Sequence, residues 1–381
     1  MRTFRVGLFT ECYRPIQNGI VASVDTLALA LRAHGHDAIV VTPEMPGYRD
    51  GVADVVRVPS LPLPTRTAYR LTVPYLPRAL GALSIVHTHS PFVTGWLGAR
   101  AARRAGVPLV FTYHTQLEAY AHYVPFETHA TRSAATQLTR AYANSADAVI
   151  VPTAAMERRL RELGVRARIA VVPSGIDVAE FARGRRSAAM RARLGARDDE
   201  ALILSVGRLG REKNVELALE AFARLDHPRA RLAIVGDGAH RDALERAAAR
   251  LGIGARTTFA REFARSDLPD AYASCDAFVF PSRSETQGLV LVEALAAGAS
   301  VVAVDTPQTR DVLGDAGTLV PEDRDAMAAA LGRTLAGGRS DPSFGAAVAA
   351  RFDGDRLGEE VIALYRSLLT GASEAALAAA R

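Results

Sequence analysis

Apolar and polar positions follow two rhythms along this chain. Short, nearly unbroken apolar runs of strand length alternate with longer stretches in which apolar residues recur every three or four positions. The runs in the first half are FRVGLF, AIVVT, VVRV, SIVHTH, PLVFTYH and AVIVP, with helices predicted near 20–34, 92–105, 128–143 and 153–163. Strands apolar on both faces, separated by amphipathic helices, predict parallel sheets covered on either side, an α/β class. The helix after Gly19 sets Val21, Val24, Leu27, Ala28 and Leu31 on one face and runs to Gly35, a natural residue to end it.

After VVPSGID the rhythm is interrupted by an arginine-rich polar stretch at 183–200. It then restarts with ALILSVGRL, ARLAIVG, RTTFA, DAFVF, SVVAV and GTLVP. Two doubly wound domains are expected, 1–173 and 174–355, with a hinge near Pro173 to Asp177 and a closing helix, about 356–381, returning to the first. Ligands of such sheets bind outside the carboxyl ends of the strands, so a cleft between those ends of the two domains is expected.

Composition bounds the class. With 381 residues, 49% hydrophobic and 23% charged, the chain reads as a soluble globular protein rather than a disordered one. It opens with MRTFRVGLFT, a strand pattern without the features of a signal peptide, and no run approaches the ~18 apolar residues of a membrane span. Cys12 and Cys275 provide neither a disulfide framework nor metal-ligand spacing. A cytoplasmic address is expected.

The formal charge of +5 conceals an asymmetry, because residues 1–170 carry 19 Arg against 11 Asp plus Glu while the remainder is slightly acidic. A basic half can face nucleic acid, anionic lipid or a phosphorylated substrate, and charge alone does not choose among them. An aromatic content of 6% and the lack of a recognition motif count against nucleic acid. Lys213 is the only lysine among 46 basic residues, so an ammonium is either needed there or retained by accident.

The densest chemistry lies in SETQGLVLVEALAAG, residues 284–298, which follows the strand signal AFVFPS. The order is strand, glycine-led turn, apolar helix. The first N–H groups of that helix, from Gly288, Leu289 and Val290, sit at the positive end of its macrodipole and suit phosphate. Glu285 and Glu293, eight positions apart, oppose a diphosphate if they face it, so they are expected to hold hydroxyl groups on either side. Glu293 falls about five residues into the helix, roughly 7 Å along its axis, a separation that suits a nucleotide sugar. In SVGRLGREKNVE, Arg208 and Lys213 precede another helix, where a guanidinium fork and a compact ammonium can neutralise a diphosphate or simply meet solvent. In TECYRPIQNGI, Asn18 and Gly19 sit at a strand-to-helix turn, where Gly19 is either a point of close approach for a phosphate or acceptor or an ordinary turn glycine. His114, in TYHT, follows a strand directly and is either structural or part of the site.

Taken together, GRLGREKN, VGDG and SETQGLVLVEALAAG resemble the retaining glycosyltransferases of family 4, which have the GT-B fold of two Rossmann-like domains, and the likeness covers nearly the whole chain. The resemblance implies that Glu285 contacts donor-sugar hydroxyls, Glu293 the ribose, the amides of Gly288 and Leu289 the phosphates, and Arg208 with Lys213 the diphosphate. It also places His114 near the reaction centre. More narrowly, FTECYRPIQNGIVAS, HTHSPFVTG, TYHT followed by AHY, and SETQGL with its Gln287 look like the branch that glucosylates diacylglycerol.

On this reading UDP-glucose is the co-substrate, no cofactor or metal is required, and the acceptor is a lipid. Another acceptor, such as phosphatidylinositol or a soluble metabolite, or a GDP-mannose donor, keeps the same reaction type. A nucleotide-sugar-binding protein without catalysis is the more distant alternative. An NAD-linked oxidoreductase is disfavoured, since no G-x-G-x-x-G follows the first strand. A lipid acceptor requires peripheral attachment to the inner face of the membrane. Arg66, Arg70 and Arg78 among Tyr69, Leu71, Val73, Tyr75 and Leu76, with Arg100, Arg103 and Arg104 on a helix, are the candidate contacts to anionic lipid. The DxD pairs Asp323/Asp325 and Asp353/Asp355 read as helix caps or turns rather than metal ligands.

Overall fold

The computed structural model of the chain describes residues 3–51, 54–63, 69–76, 80–118, 129–338 and 342–379. It divides into two compact units, Met1–Gly175 with Gly354–Arg381, and Ile176–Asp353. The first unit contains β1 (Arg5–Phe9), α1 (Gly19–Ala33), β2 (Asp37–Pro43), β3 (Val55–Val58), β4 (Ser60–Pro62) and β5 (Arg70–Thr72). It continues with β6 (Ile85–Thr88), α2 (Val93–Ala105), β7 (Leu109–Thr112), α3 (His129–Ala143), β8 (Ala148–Val151), α4 (Ala154–Glu162) and β9 (Arg168–Val171).

Seven of these strands form one sheet in the order β3-β2-β1-β6-β7-β8-β9, and each neighbouring pair is parallel. The middle strands β6, β7 and β8 are buried at every position, as strands covered by helices on both faces must be. Phe9, Val41, Val86, Phe111 and Val149 form the centre of the core. Two features escape the apolar pattern. The strand β9 begins with exposed Arg168 at the sheet edge. The antiparallel pair β4–β5 is three residues per strand and contains Pro62, so its sequence reads as loop.

The second unit contains α5 (Val178–Ala182), α6 (Ala188–Arg193), β10 (Ala201–Val206), α7 (Val215–Arg224), β11 (Ala230–Val235), α8 (Arg241–Arg250), β12 (Thr257–Ala260) and α9 (Leu268–Ser274). It continues with β13 (Ala277–Phe280), α10 (Leu289–Ala296), β14 (Val301–Val304), α11 (Pro307–Leu313), β15 (Gly317–Val320), α12 (Arg324–Gly337) and α13 (Pro342–Ala349). Its six parallel strands run β12-β11-β10-β13-β14-β15. The arginine-rich stretch at 183–200 is folded rather than a polar linker. Arg191, fully buried, donates to the carbonyls of Ser274 at 2.7 Å and Arg197 at 3.1 Å and pairs with Asp276 at 3.3 Å. A buried guanidinium is tolerated because its Nη donors end on carbonyls and a carboxylate, with Nε–H alone left without a hydrogen bond among the described residues.

The closing helix α14 (Gly354–Ala379) belongs to the first unit and lies along α1. A Cβ added to Gly358 would sit 2.3 Å from Ala30 Cβ, so small residues on both helices permit the approach. Tyr365 on α14 is fully buried, and its hydroxyl lies 2.5 Å from His87 Nδ1 on β6.

Candidate active site

In the second sheet β10 is flanked by β11 on one side and β13 on the other, so the winding reverses between β10 and β13. Loops leaving the carboxyl ends of such a pair turn to opposite faces and open a crevice. The loop after β10 carries Arg208 and Lys213; the loop after β13 carries Glu285 and Gly288. Lys213 Nζ lies 2.5 Å from Glu285 Oε1 across the two loops, with side chains 18% and 21% exposed. Ser284 Oγ donates to the Glu212 carbonyl at 2.9 Å, and Asn214 Nδ2 donates to the Pro281 carbonyl at 3.4 Å. Arg208 pairs with Glu212, whose side chain is buried. Both cations singled out from the sequence therefore face a carboxylate, and Glu212 was not among the candidates.

Local conformation explains the residue types. Asn214 stands in the left-handed region at φ 55°, which asparagine tolerates, and turns the chain from the 3₁₀ turn Arg211–Lys213 into α7. Gly236, in VGDG, adopts φ 139°, and a Cβ there would meet the Gly207 carbonyl oxygen at 2.0 Å. The VGDG loop thus presses backbone to backbone on the GRLG loop, and Leu209 N donates to the Asp237 carbonyl at 2.9 Å. Only glycine fits such contact.

Gly288 caps α10 at φ 83°, so Leu289 and Val290 open the helix as the sequence leads one to expect. Glu293, one turn further on, is 5% exposed. The Tyr272 hydroxyl on α9 donates to its Oε2 at 2.8 Å, and Arg265 Nη1 lies 3.7 Å from its Oε1. Burial holds the Glu293 carboxyl above its ordinary range, opposed by the Arg265 charge and the Tyr272 hydrogen bond. Arg265 also stacks over Phe181 at 5.3 Å and pairs with Glu180 at 3.4 Å. Neither Arg265 nor Tyr272 was a sequence candidate; they carry no spacing signal toward Glu293.

The first sheet reverses between β1 and β6. After β1, the loop to α1 ends at Asn18, whose Oδ1 accepts from Val21 N at 2.9 Å and caps the helix. Gly19 is then the first helical residue, and it is not among the positive-φ glycines. Asn18 and Gly19 thus stand together at the strand-to-helix junction, with Asn18 as the cap. Glu11 in the same loop accepts from Thr94 N at 2.9 Å and from Thr72 Oγ1 at 3.1 Å, with burial raising its carboxyl.

His114, two residues past β7, meets His89, one residue past β6 in the HTH sequence, and His89 in turn stacks on His87 of β6. His89 Nδ1 lies 2.9 Å from His114 Nε2, their rings stacked at 5.2 Å, and His87 stacks on His89 at 4.4 Å. His87 Nε2 meets Thr112 Oγ1 at 2.6 Å. Desolvation lowers the three rings, His87 to about 3 and His114 to about 4, with His89 well below its ordinary value, so all are neutral at physiological pH.

Around the β4–β5 pair, Leu61, Leu71 and Tyr75 are exposed, as are Phe92 and Trp96 on the α2 side; Arg100, Arg103 and Arg104 of α2 are exposed too. The Arg70 guanidinium braces the hairpin, donating to Ser60 Oγ at 2.7 Å and to the Ser60 carbonyl at 3.1 Å. Arg66, Arg78 and the AHY sequence lie outside the described residues. Among the described residues no helix is long and apolar enough to cross a membrane, and no group of three or more His, Cys, Asp or Glu is placed to hold a metal ion. Asp323 caps α12, accepting from Asp325 N and Ala326 N, and Asp355 pairs with His34 at 3.0 Å.

Comparison with known proteins places this geometry in a family. Residues 187–347 match Glycosyl transferases group 1, and residues 17–180 match Glycosyltransferase Family 4. The chain is 33% identical over 325 residues to the alpha-monoglucosyldiacylglycerol synthase of Streptococcus pneumoniae, covering 82% of this chain and 73% of that protein. It is 35% identical over 326 residues to the GDP-mannose-dependent alpha-mannosyltransferase of Mycobacterium tuberculosis, covering 81% of each. Among solved structures it matches the sucrose-phosphate synthase of Thermosynechococcus elongatus with a TM-score of 0.78 at 25% identity, covering 97% of this chain and 100% of that one.

Proposed function

This chain belongs to the family 4 glycosyltransferases of GT-B fold, a hexosyltransferase family, and we propose that it moves glucose from UDP-glucose to the free hydroxyl of diacylglycerol, with retention at the anomeric carbon. The observation that carries the donor side is the Lys213–Glu285 pair, 2.5 Å long, at the β10–β13 reversal beside the Gly288-led start of α10. An ammonium donates three hydrogen bonds, so Lys213 can hold Glu285 and a phosphate oxygen together. Arg208, with five donors, can do the same beside Glu212. The pair couples the group that orients the sugar to the group that stabilises the leaving diphosphate.

In this reading Lys213, Arg208 and the amides of Gly288, Leu289 and Val290 hold the diphosphate, Glu285 holds sugar hydroxyls, and Glu293 holds the ribose. Glu293 suits that role because Tyr272 and Arg265 already fix its orientation. The bond from the anomeric carbon to the phosphate oxygen breaks, and a bond to the acceptor oxygen forms on the same face. The acceptor proton passes to an oxygen of the departing UDP. Charge accumulates on the diphosphate as this proceeds, and preorganised donors there are commonly worth about 3–4 kcal/mol each. His114 in the first unit is assigned to the reacting sugar, and Gly19 to the approach of a phosphate or acceptor, both through the family resemblance.

The lipid acceptor is supported by the pneumococcal relative's name and by the exposed Leu61, Leu71, Tyr75, Phe92 and Trp96, with the exposed Arg100, Arg103 and Arg104 further along α2. Such a surface suits peripheral attachment to anionic lipid. Co-sedimentation with liposomes tests it: binding to anionic vesicles and not to neutral ones is expected, and equal, negligible binding to both counts against it. A second reading, mannose from GDP-mannose to a different lipid, is favoured by the 35% identity to the mycobacterial mannosyltransferase. Product analysis with a panel of sugar nucleotides separates the two.

A further inference from the structure

We propose that His89 is a positioning residue for His114: it donates from Nδ1 to His114 Nε2 and so fixes His114 in its Nδ1–H tautomer. The two nitrogens are 2.9 Å apart. Burial keeps both rings neutral, so a single proton lies between them and only its owner is in question.

The other nitrogen of His89 decides the matter. His89 is 2% exposed, and its Nε2 is buried without a hydrogen-bond partner among the described residues. If His114 were the donor, His89 would carry its proton on Nε2, leaving a buried N–H with nothing to accept it. Orphaned buried N–H groups are the rarer defect, rarer than an under-satisfied acceptor. With the proton on Nδ1, His89 donates to His114 and leaves only a bare ring nitrogen in the interior.

His87 completes the device. Its two nitrogens end on the hydroxyls of Thr112 and Tyr365, which can each donate or accept, so its ring is held whichever tautomer it takes. It then forms a shelf, 4.4 Å away, on which His89 stacks in the orientation that aims Nδ1 at His114. The consequence is that His114 offers a proton only from Nδ1. Its functional weight rests on the reading of His114 as a group at the reacting sugar; the tautomer itself does not.

The test is a long-range ¹H–¹⁵N imidazole correlation on the full chain labelled with ¹⁵N-histidine, with His114 assigned by the signal lost in His114→Gln. A protonated Nδ1 and bare Nε2 on His114 are expected; a protonated Nε2 would overturn the proposal without any variant of His89. His89→Leu removes the donor and is expected to mix the tautomers of His114 and lower turnover about tenfold, the weight of one hydrogen bond. His89→Asn, whose side-chain amide falls where Nδ1 stood, is expected to restore both to within about threefold. Identical behaviour of the Leu and Asn variants would mean that His89 only fills space, and the proposal fails. Full turnover in His114→Gln would instead overturn the reading of His114, leaving the tautomer result standing.

Discussion

Lys213→Ala separates catalysis from stability more sharply than any other substitution in the site. The ion pair it breaks is 2.5 Å long, but both side chains keep about a fifth of their surface in water, 18% and 21%. A partly exposed pair of this kind contributes about 0.2–1 kcal/mol to folding. For a unit of this size that is a melting shift of no more than about 4 °C. In the transition state the same ammonium faces a diphosphate gaining charge, where one preorganised donor is worth about 3–4 kcal/mol, a factor of about 10²–10³ in kcat. Alanine also takes the ammonium away from beside Glu285. The expected result, read by UDP release at saturating donor with a parallel thermal melt, is turnover reduced at least about a hundredfold with a melting change of a few degrees. Lys213→Arg keeps the charge but not its compact geometry and should recover part of the loss. Unchanged turnover in the alanine variant, or a loss that follows melting alone, would refute the reasoning.

Other substitutions test other links. A carboxyl raised by burial binds its proton more tightly in the folded chain, so the stability Glu293 contributes is full below its ordinary value of 4.5 and is lost as pH rises through its folded value. Glu293→Gln should therefore melt progressively higher than the parent as pH goes from 4 to 7, while KM for the donor rises about tenfold with loss of a charged acceptor; a parent that gains on the variant toward neutral pH contradicts this. Gly288→Ala places a Cβ at φ 83° and 3.1 Å from Phe280 Cζ, and should cost about 1–2 kcal/mol in a denaturant titration, whereas Gly337→Ala, in open space at the end of α12, should cost nothing. Equal effects would remove the argument from backbone conformation. Turnover should survive EDTA, because Arg208, Lys213 and the start of α10 supply the positive charge at the diphosphate; loss of activity restored by magnesium would count against that assignment.

The apolar rhythm carried most of the fold. The inner strands β10, β13 and β14 of the second sheet stand where their runs of Val, Ile, Leu, Ala and Phe predict them, because a strand buried on both faces leaves a nearly continuous signature, and the edge strands β12 and β15 follow the same rhythm more weakly. The elements that escaped lack it: β4 and β5 are too short, β9 lies at an edge, and Arg191 is a buried charge in what reads as a polar stretch. Within the site, Glu285, Gly288 and Glu293 were legible because one turn and one helix hold them at fixed spacing. The burial of Glu293 was not, since LVLVEALA is apolar nearly all round and gives no face to read. Glu212, Arg265, Tyr272 and the His87–His89 stack stayed hidden for other reasons. Arg265 and Tyr272 meet Glu293, and His89 meets His114, only because the fold brings separate elements together, which no local pattern records; Glu212 lies four residues from Arg208 in one loop and His87 two residues from His89, where nothing in the sequence marks the carboxylate or the rings as buried.

The most direct test of the proposed reaction is UDP release from UDP-glucose, measured with and without 1,2-diacylglycerol in mixed micelles and with the product's anomeric configuration determined. The account predicts release that depends on diacylglycerol and yields an α-glucosyl lipid. Release that ignores the lipid, or turnover with GDP-mannose and none with UDP-glucose, would contradict it.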